Sequence, residues 1–223
     1  MTGYGQFCAI ARAHEILGGR WTLLIVREVL MGATRFSDFR KGVPRISRTV
    51  LAERLQDLVA CGVLERDESA RGPTYRLTPA GRDLEPLVLA LGTWGQKWLP
   101  RHAAAEDLDL DPLLHDMARR VSRDAAPAEA LVLRFEIRAH PLRFMLMKDG
   151  TASVCGLNPG FPEPLSIGGP LAPLVGWWRG DTTFAEAQRL GLRLEGPRPL
   201  VRAFPLWFER YLLADVAPQA LAG

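Results

Sequence analysis

Little in this chain suggests catalysis, export or a membrane. Its three cysteines, Cys8, Cys61 and Cys155, are scattered and odd in number, which argues against a disulfide framework and for a reducing cytoplasm. No stretch is long and apolar enough to span a membrane, and the first residues lack the charged-then-apolar pattern of an export signal. The four histidines, His14, His102, His115 and His140, are dispersed. None stands near a cysteine, a serine or paired carboxylates in a catalytic spacing, and neither a glycine-rich phosphate loop nor a zinc-ligand spacing occurs. The carboxylates of residues 106–111 alternate as in a calcium loop, but the sixth-position glycine and the closing glutamate are missing. Neither metal nor cofactor is expected, and the chain reads as a non-enzyme.

What is present is apolar material and an uneven charge. A hydrophobic share of 48% over 223 residues suffices for one large core or two ordinary ones. The net charge of +3 conceals an asymmetry: residues 1–102 carry 15 basic and 10 acidic side chains, whereas residues 103–223 carry 13 and 15. The basic excess is densest early. Between Arg20 and Arg48 stand seven basic residues (Arg20, Arg27, Arg35, Arg40, Lys41, Arg45, Arg48) against Glu28 and Asp38. Phosphate binding needs such a concentration, whereas an idle solvated face usually mixes its signs.

The same region carries the pattern that organises the chain. Residues 7–17 read as a first helix stopped by Gly18-Gly19, and residues 21–31 as an apolar second helix, buried on nearly all sides, with Phe36 and Leu51 as neighbours. Residues 35–41 form a short third helix with Phe36 and Phe39 inward. Pro44 disfavours helix at Val43 and makes residues 42–45 a turn. Ser47 then stands at an N-cap, and Leu51, Leu55, Leu58 and Val59 make one apolar stripe. Thr49, Glu53 and Gln56 lie opposite, with Arg48 and Ala52 on the flank. Gly62 closes the helix. Residues 63–69 and 74–78 read as a β-hairpin with Arg71 in its turn. Helix, turn, helix and ribbon in this order predict a winged helix-turn-helix, mainly α with a β-hairpin wing, whose second helix enters the major groove. Arg20 and Arg27 read as peripheral phosphate contacts or ion pairs.

These residues resemble the HxlR family of bacterial winged-helix regulators. The likeness rests on Cys8, on Ile16-Leu17-Gly18-Gly19-Arg20-Trp21-Thr22-Leu23-Leu24-Ile25, on Gly32-Ala33-Thr34-Arg35-Phe36-Ser37-Asp38-Phe39, on Ile46-Ser47 with Leu51 and Leu55, on Gly62-Val63-Leu64 and on Tyr75-Arg76-Leu77-Thr78-Pro79-Ala80-Gly81. It covers about residues 4–102 and implies a homodimeric transcription factor joined through its terminal helices. One of these is expected from Thr78-Pro79 to Trp98, with Leu84, Leu87, Val88, Leu91, Trp94 and Trp98 along it, either as a dimer surface or as cover for a second domain. The resemblance also aligns Cys8 with a cysteine that senses redox state in some relatives. Arg12 is its nearest cation, and a small, partly buried structural residue is the other reading. Two positions depart from the pattern. Thr49 stands where such proteins often carry lysine or arginine, and Glu53 where a neutral polar residue is common. Glu53 either accepts from a cytosine amino group or pairs with Arg48 or Arg54.

Residues 103–111 read as a linker. Asp111-Pro112 is a helix start, opening a helix to Arg123. Strands are then expected at residues 131–137, 143–147, 152–155 and 165–167, with an Asp149-Gly150 hairpin turn. Helices over 170–179 and 183–190, a strand over 192–195 and a helix over 198–211 follow. This is an α+β arrangement, an antiparallel sheet covered by helices. Gly168-Gly169-Pro170, Trp177-Trp178-Arg179-Gly180-Asp181 and Gly191-Leu192-Arg193-Leu194-Glu195-Gly196 resemble the end of sterol-carrier-protein-2-like (SCP2-like) domains, which implies an apolar tunnel. Trp177, Trp178, Phe184, Phe204, Trp207 and Phe208 bring aromatic surface of the kind that lines such pockets, or else they are core.

The sequence thus predicts residues 1–102 as a DNA-binding and dimerising winged helix and residues 112–223 as an SCP2-like ligand-sensing domain of a cytoplasmic regulator, a repressor modulated by a small apolar ligand. The partners expected are double-stranded DNA and a second copy, with no membrane. Arg48, Thr49, Ala52 and Glu53 would face the bases, with Arg35, Arg45, Arg71 and Ser47 on phosphates. Phe135, Phe144, Trp177, Trp178, Phe204, Trp207 and Phe208 would line the ligand site. The competing reading is a lipid or acyl carrier whose winged helix serves mainly for dimerisation.

Overall fold

The computed structural model describes residues 3–70, 72–100 and 108–219. It forms two compact units, Met1–Gly92 and Thr93–Gly223. The expected linker over 103–111 falls largely outside the described residues.

In the first unit four helices precede a two-stranded ribbon: α1 (Ala9–Leu17), α2 (Thr22–Leu30), α3 (Phe36–Gly42), α4 (Arg48–Ala60), β1 (Leu64–Asp67) and β2 (Thr74–Leu77). The apolar stripe of α4 lands as its spacing requires, with Leu51, Leu55 and Leu58 buried beside Ile25, Val26, Phe39, Leu64 and Tyr75. Helix α2 departs from expectation. Its Ile25, Val26 and Val29 are buried, but Leu24 is 38% exposed, so one side of the helix remains uncovered by this chain's first unit. The ribbon pairs antiparallel, Leu64 opposite Leu77 and Glu65 opposite Arg76. It is tied to the start of α3, where the Tyr75 N–H donates to the Thr34 carbonyl at 2.8 Å and Arg35 bridges Thr74.

After the ribbon, the long helix expected from Thr78 is broken into α5 (Pro79–Arg82) and α6 (Glu85–Trp98). Pro86 is the reason. It has no N–H to give the Arg82 carbonyl four residues earlier, and its ring crowds that carbonyl. Thr78 caps α5 through Oγ1, which accepts from the Gly81 N–H at 3.1 Å. Gly81 itself sits where a Cβ would lie 2.2 Å from the Val63 carbonyl oxygen. Only glycine lets α5 lie this close to the end of the β1 approach.

The second unit holds α7 (Leu110–Arg119), β3 (Leu131–Ile137), β4 (Arg143–Lys148), β5 (Thr151–Cys155), β6 (Leu165–Gly169), α8 (Leu171–Arg179), α9 (Phe184–Arg189), β7 (Arg193–Glu195) and α10 (Arg198–Ala203). Element order matches the sequence expectation, but the sheet is mixed. Its strand order is β5-β4-β3-β6-β7, and β3 and β6 run parallel while the other pairs are antiparallel. After the β3-β4-β5 hairpins the chain crosses back and adds β6 on the far side of β3, which imposes the parallel pair. Two helix boundaries also move. Helix α7 starts from an Asp109 N-cap and ends at Arg119. Asp111 is instead gripped by Arg143, at 2.6 Å from Nε and 2.9 Å from Nη2. The last helix stops at Ala203 and tightens to a 3₁₀ turn at Phe204–Leu206, because Pro205 cannot donate to the Val201 carbonyl.

Candidate nucleic-acid interface

Helix α4 is held from below and open above. Val43 and Ile46 are buried and seat the turn that precedes it. Ser47 Oγ accepts the Val50 N–H at 3.2 Å, which supplies one of the unpaired donors of the first turn. The cap occupies an oxygen lone pair and leaves the hydroxyl proton available to an acceptor outside the helix. Arg48, Thr49, Glu53 and Gln56 are exposed and Ala52 half-buried. The side chains expected to face bases therefore share one accessible surface. The start of α3 is capped by Asp38, whose carboxylate accepts from the Arg35 N–H at 3.0 Å and the Thr34 N–H at 3.4 Å. Arg35 is half-buried and Arg45 exposed. Arg71 lies outside the described residues.

The basic excess divides by role. Arg27 pairs with the buried Glu28 carboxylate at 2.7 Å and donates to the Gly42 carbonyl at 3.3 Å; of the two readings for this residue, it takes the ion pair. Arg20 lies over the Trp21 ring, 4.7 Å from its centroid, a cation–π contact. Arg54 is committed to Asp57 at 2.7 Å. The wing holds a network that sequence reading missed. Arg76 pairs with Glu65 at 3.3 Å and with Asp67, and Arg66 pairs with Glu68 at 2.6 Å. The ribbon strands thus largely neutralise themselves. The Glu65–Arg76 pairing follows from the hairpin register, so the sequence did contain that signal. Such exposed pairs are worth little and are readily exchanged for other contacts.

Away from α4 the first unit presents apolar surface. Ile10, Ala13, Leu17, Trp21, Leu23, Leu24 and Leu87 line a groove of 510 Å³, with His14 at its side. Phe7 is fully exposed, Ile10 80%, Leu87 48% and Leu91 50%. His14 is held by Tyr4, its Nδ1 2.8 Å from the phenol oxygen. Cys8 is half-buried at the N-cap of α1. The backbone N–H groups of Ala11 and Ile10 in the first turn of α1 hold its thiol below the ordinary range, since donors there favour the thiolate.

In the second unit, six of the seven rings expected around a ligand do converge. Phe135, Trp177, Trp178, Phe204, Trp207 and Phe208 belong to one buried cluster. They pack on one another, with Trp177 and Phe204 centroids 5.7 Å apart and Phe204 and Phe208 5.5 Å apart. Trp178 Nε1 donates to Asp116 at 2.8 Å. Phe144 does not join them. It stands opposite Arg134, whereas Phe135 stands opposite Arg143, and successive strand residues point to opposite faces of a sheet. Phe144 is therefore on the other face of the sheet and cannot line a site with the rest.

Comparison with known proteins agrees with this geometry in the first unit. Residues 16–103 match the HxlR-like helix-turn-helix family. A helix-turn-helix transcriptional regulator of Mycobacterium tuberculosis, itself uncharacterised, is 42% identical over 96 residues, which are 42% of this chain and 60% of that protein. The chain thus spans less than two thirds of that relative's length. Two uncharacterised regulators of Bacillus subtilis are covered more fully. YdeP is 34% identical across 76% of its length and 42% of this chain, and YvaP 37% identical across 84% of its length and 40% of this chain.

Proposed function

The chain belongs to the HxlR-like helix-turn-helix family, and we propose that it is a sequence-specific DNA-binding regulator of transcription acting as a homodimer. The observation that carries this reading is α4, a helix capped by Ser47, buried along Leu51, Leu55 and Leu58, and exposed at Arg48, Thr49 and Glu53. Such a helix is built to be inserted, and the major groove admits one. In this reading Arg48, Thr49, Ala52 and Glu53 meet base edges. Arg35, Arg45 and Arg71 meet phosphates, as does the spare proton of the Ser47 hydroxyl. Phosphate contacts set the register and base contacts the sequence. The exposed apolar side chains of α1, α2 and α6 support a second copy docked there. Seated on promoter DNA, the dimer acts as a repressor by occupying it. The test is a footprint of the full-length protein on DNA upstream of its own gene. Two protected half-sites separated by whole helical turns are expected; a single site, or none, would refute the dimeric reading.

For the second unit we keep the reading of an SCP2-like apolar-ligand sensor, supported by the concentration of six aromatic rings in one cluster. Because these rings already fill one another's space, a ligand enters only as they part, and it shifts the DNA-bound state only by its preference between the two arrangements. A thermal-unfolding titration with a long-chain fatty acid should raise the transition temperature if a ligand of that class binds. No change across the series would count against it.

A further inference from the structure

From the exposed face of α4 we infer that Glu53 is a specificity-determining residue that reads a cytosine amino group, one in each half-site. The inference rests on the DNA-binding reading above. Thr49, Glu53 and Gln56 follow one another at helical spacing on the side opposite the Leu51–Leu55–Leu58 stripe, and all three are exposed. Glu53 is central among them. Two intramolecular partners would have explained its charge, and neither is used. Arg54 is bound to Asp57 at 2.7 Å, and among the described residues the Glu53 carboxylate has neither an ion pair nor a hydrogen bond, with Arg48 or with any other side chain.

An unpaired carboxylate on a helix face offered to DNA, with Arg48 its one free cation there among the described residues, is repelled by DNA phosphates and must lose water on entering the groove. It is tolerated there only if a donor on the DNA meets it. The major groove offers two base donors. The adenine N6 amino group is flanked by acceptors on both sides, its own N7 and the O4 of the paired thymine. The cytosine N4 amino group has an acceptor, guanine O6, on one side only. A carboxylate therefore fits cytosine from the open side and is repelled at adenine. Thr49, one turn earlier, lacks the positive charge that would otherwise neutralise Glu53, so the carboxylate remains a free acceptor.

The test uses the full-length protein and a randomised double-stranded DNA library, sequenced before and after selection, for the wild type, Glu53→Gln and Glu53→Ala. The wild type should enrich cytosine at one position of each half-site by about 5- to 150-fold over the other bases, the range of a good base contact. Glu53→Gln should move that preference to adenine, which glutamine binds through N6 and N7. Glu53→Ala should leave the position without preference while every other position is unchanged. Both substitutions are at an exposed site and should leave the circular dichroism melt of the protein unaltered. If all three proteins enrich the same bases, and the variants simply bind every duplex more tightly, Glu53 faces phosphate or solvent and the inference is wrong. If the wild type enriches no sequence at all, the DNA-binding reading itself fails, and this inference with it.

Discussion

Replacing Gly81 with alanine tests whether the close seat of α5 is as tight as the geometry indicates. The new Cβ would lie 2.2 Å from the Val63 carbonyl oxygen and 2.9 Å from a Leu77 methyl carbon. The first contact is with backbone and cannot be relieved by a rotamer change, so α5 must retreat by about an ångström. Thr78 would be pulled with it. Its N–H donates to the Val63 carbonyl at 3.1 Å, and its Oγ1 to the Gly62 carbonyl at 2.6 Å. Overpacking of this kind costs about 1–3 kcal/mol, and a weakened hydrogen bond adds about 0.5–1.5 kcal/mol. Against this stands a gain of at most about 1 kcal/mol from alanine's helix propensity. The net expectation is a loss of about 1–3 kcal/mol in the first unit. Amide hydrogen exchange is the suitable assay, because it reads the Leu51 and Leu55 amides separately from the second unit. Faster exchange at those amides by about 5- to 150-fold would agree. Unchanged or slowed exchange would show that α5 has slack the packing does not reveal.

Other consequences can be checked as directly. Arg48→Ala should cost about 1–3 kcal/mol on the natural site and relax the preference at one base position; equal weakening on natural and random duplexes in a binding titration would make Arg48 a phosphate contact only. Leu87→Glu places a charge in the apolar groove at a residue already 48% exposed, and sedimentation velocity should show a shift from dimer to monomer without loss of helix content. In the second unit, Glu186 accepts from the Thr183 N–H and hydroxyl, and these bonds hold its carboxyl below the ordinary value. Its contribution to stability should be complete above the ordinary carboxylate range and fade as pH falls through that lowered value. Wild type and Glu186→Gln should therefore differ in urea midpoint at neutral pH and converge once the pH has fallen below that lowered value; a constant difference would contradict the linkage.

What the sequence disclosed was local. The α4 stripe, the Ser47 cap and the hairpin need only short-range periodicity and capping chemistry, and each element formed within a residue or two of its expected bounds. The helix breaks at Pro86 and Pro205 were equally local, and the missing N–H of each proline would have located them. Pairing between distant strands was not legible. Nothing in the residues of β3 and β6 states that they run parallel, and nothing in an isolated strand states that Phe144 will meet Arg134 rather than Phe135. A shift of one residue in register moves a side chain to the opposite face, and the ring expected at the ligand site was lost in that way. Charge was legible as a sum and not as a pattern. The sequence shows seven basic residues from Arg20 to Arg48, but only the fold separates Arg27, spent on Glu28, from Arg48, which stands open on the helix surface.

The central claim is that the exposed face of α4 reads DNA. Its most direct test is a fluorescence-anisotropy titration of the full-length protein on the duplex upstream of its own gene and on a scrambled duplex of equal length, repeated across a range of salt. Preference for the natural duplex is expected, with log affinity falling linearly in log salt at a slope of about −0.9 per phosphate contacted. Equal binding to both duplexes, or no binding to either at low salt, would contradict it.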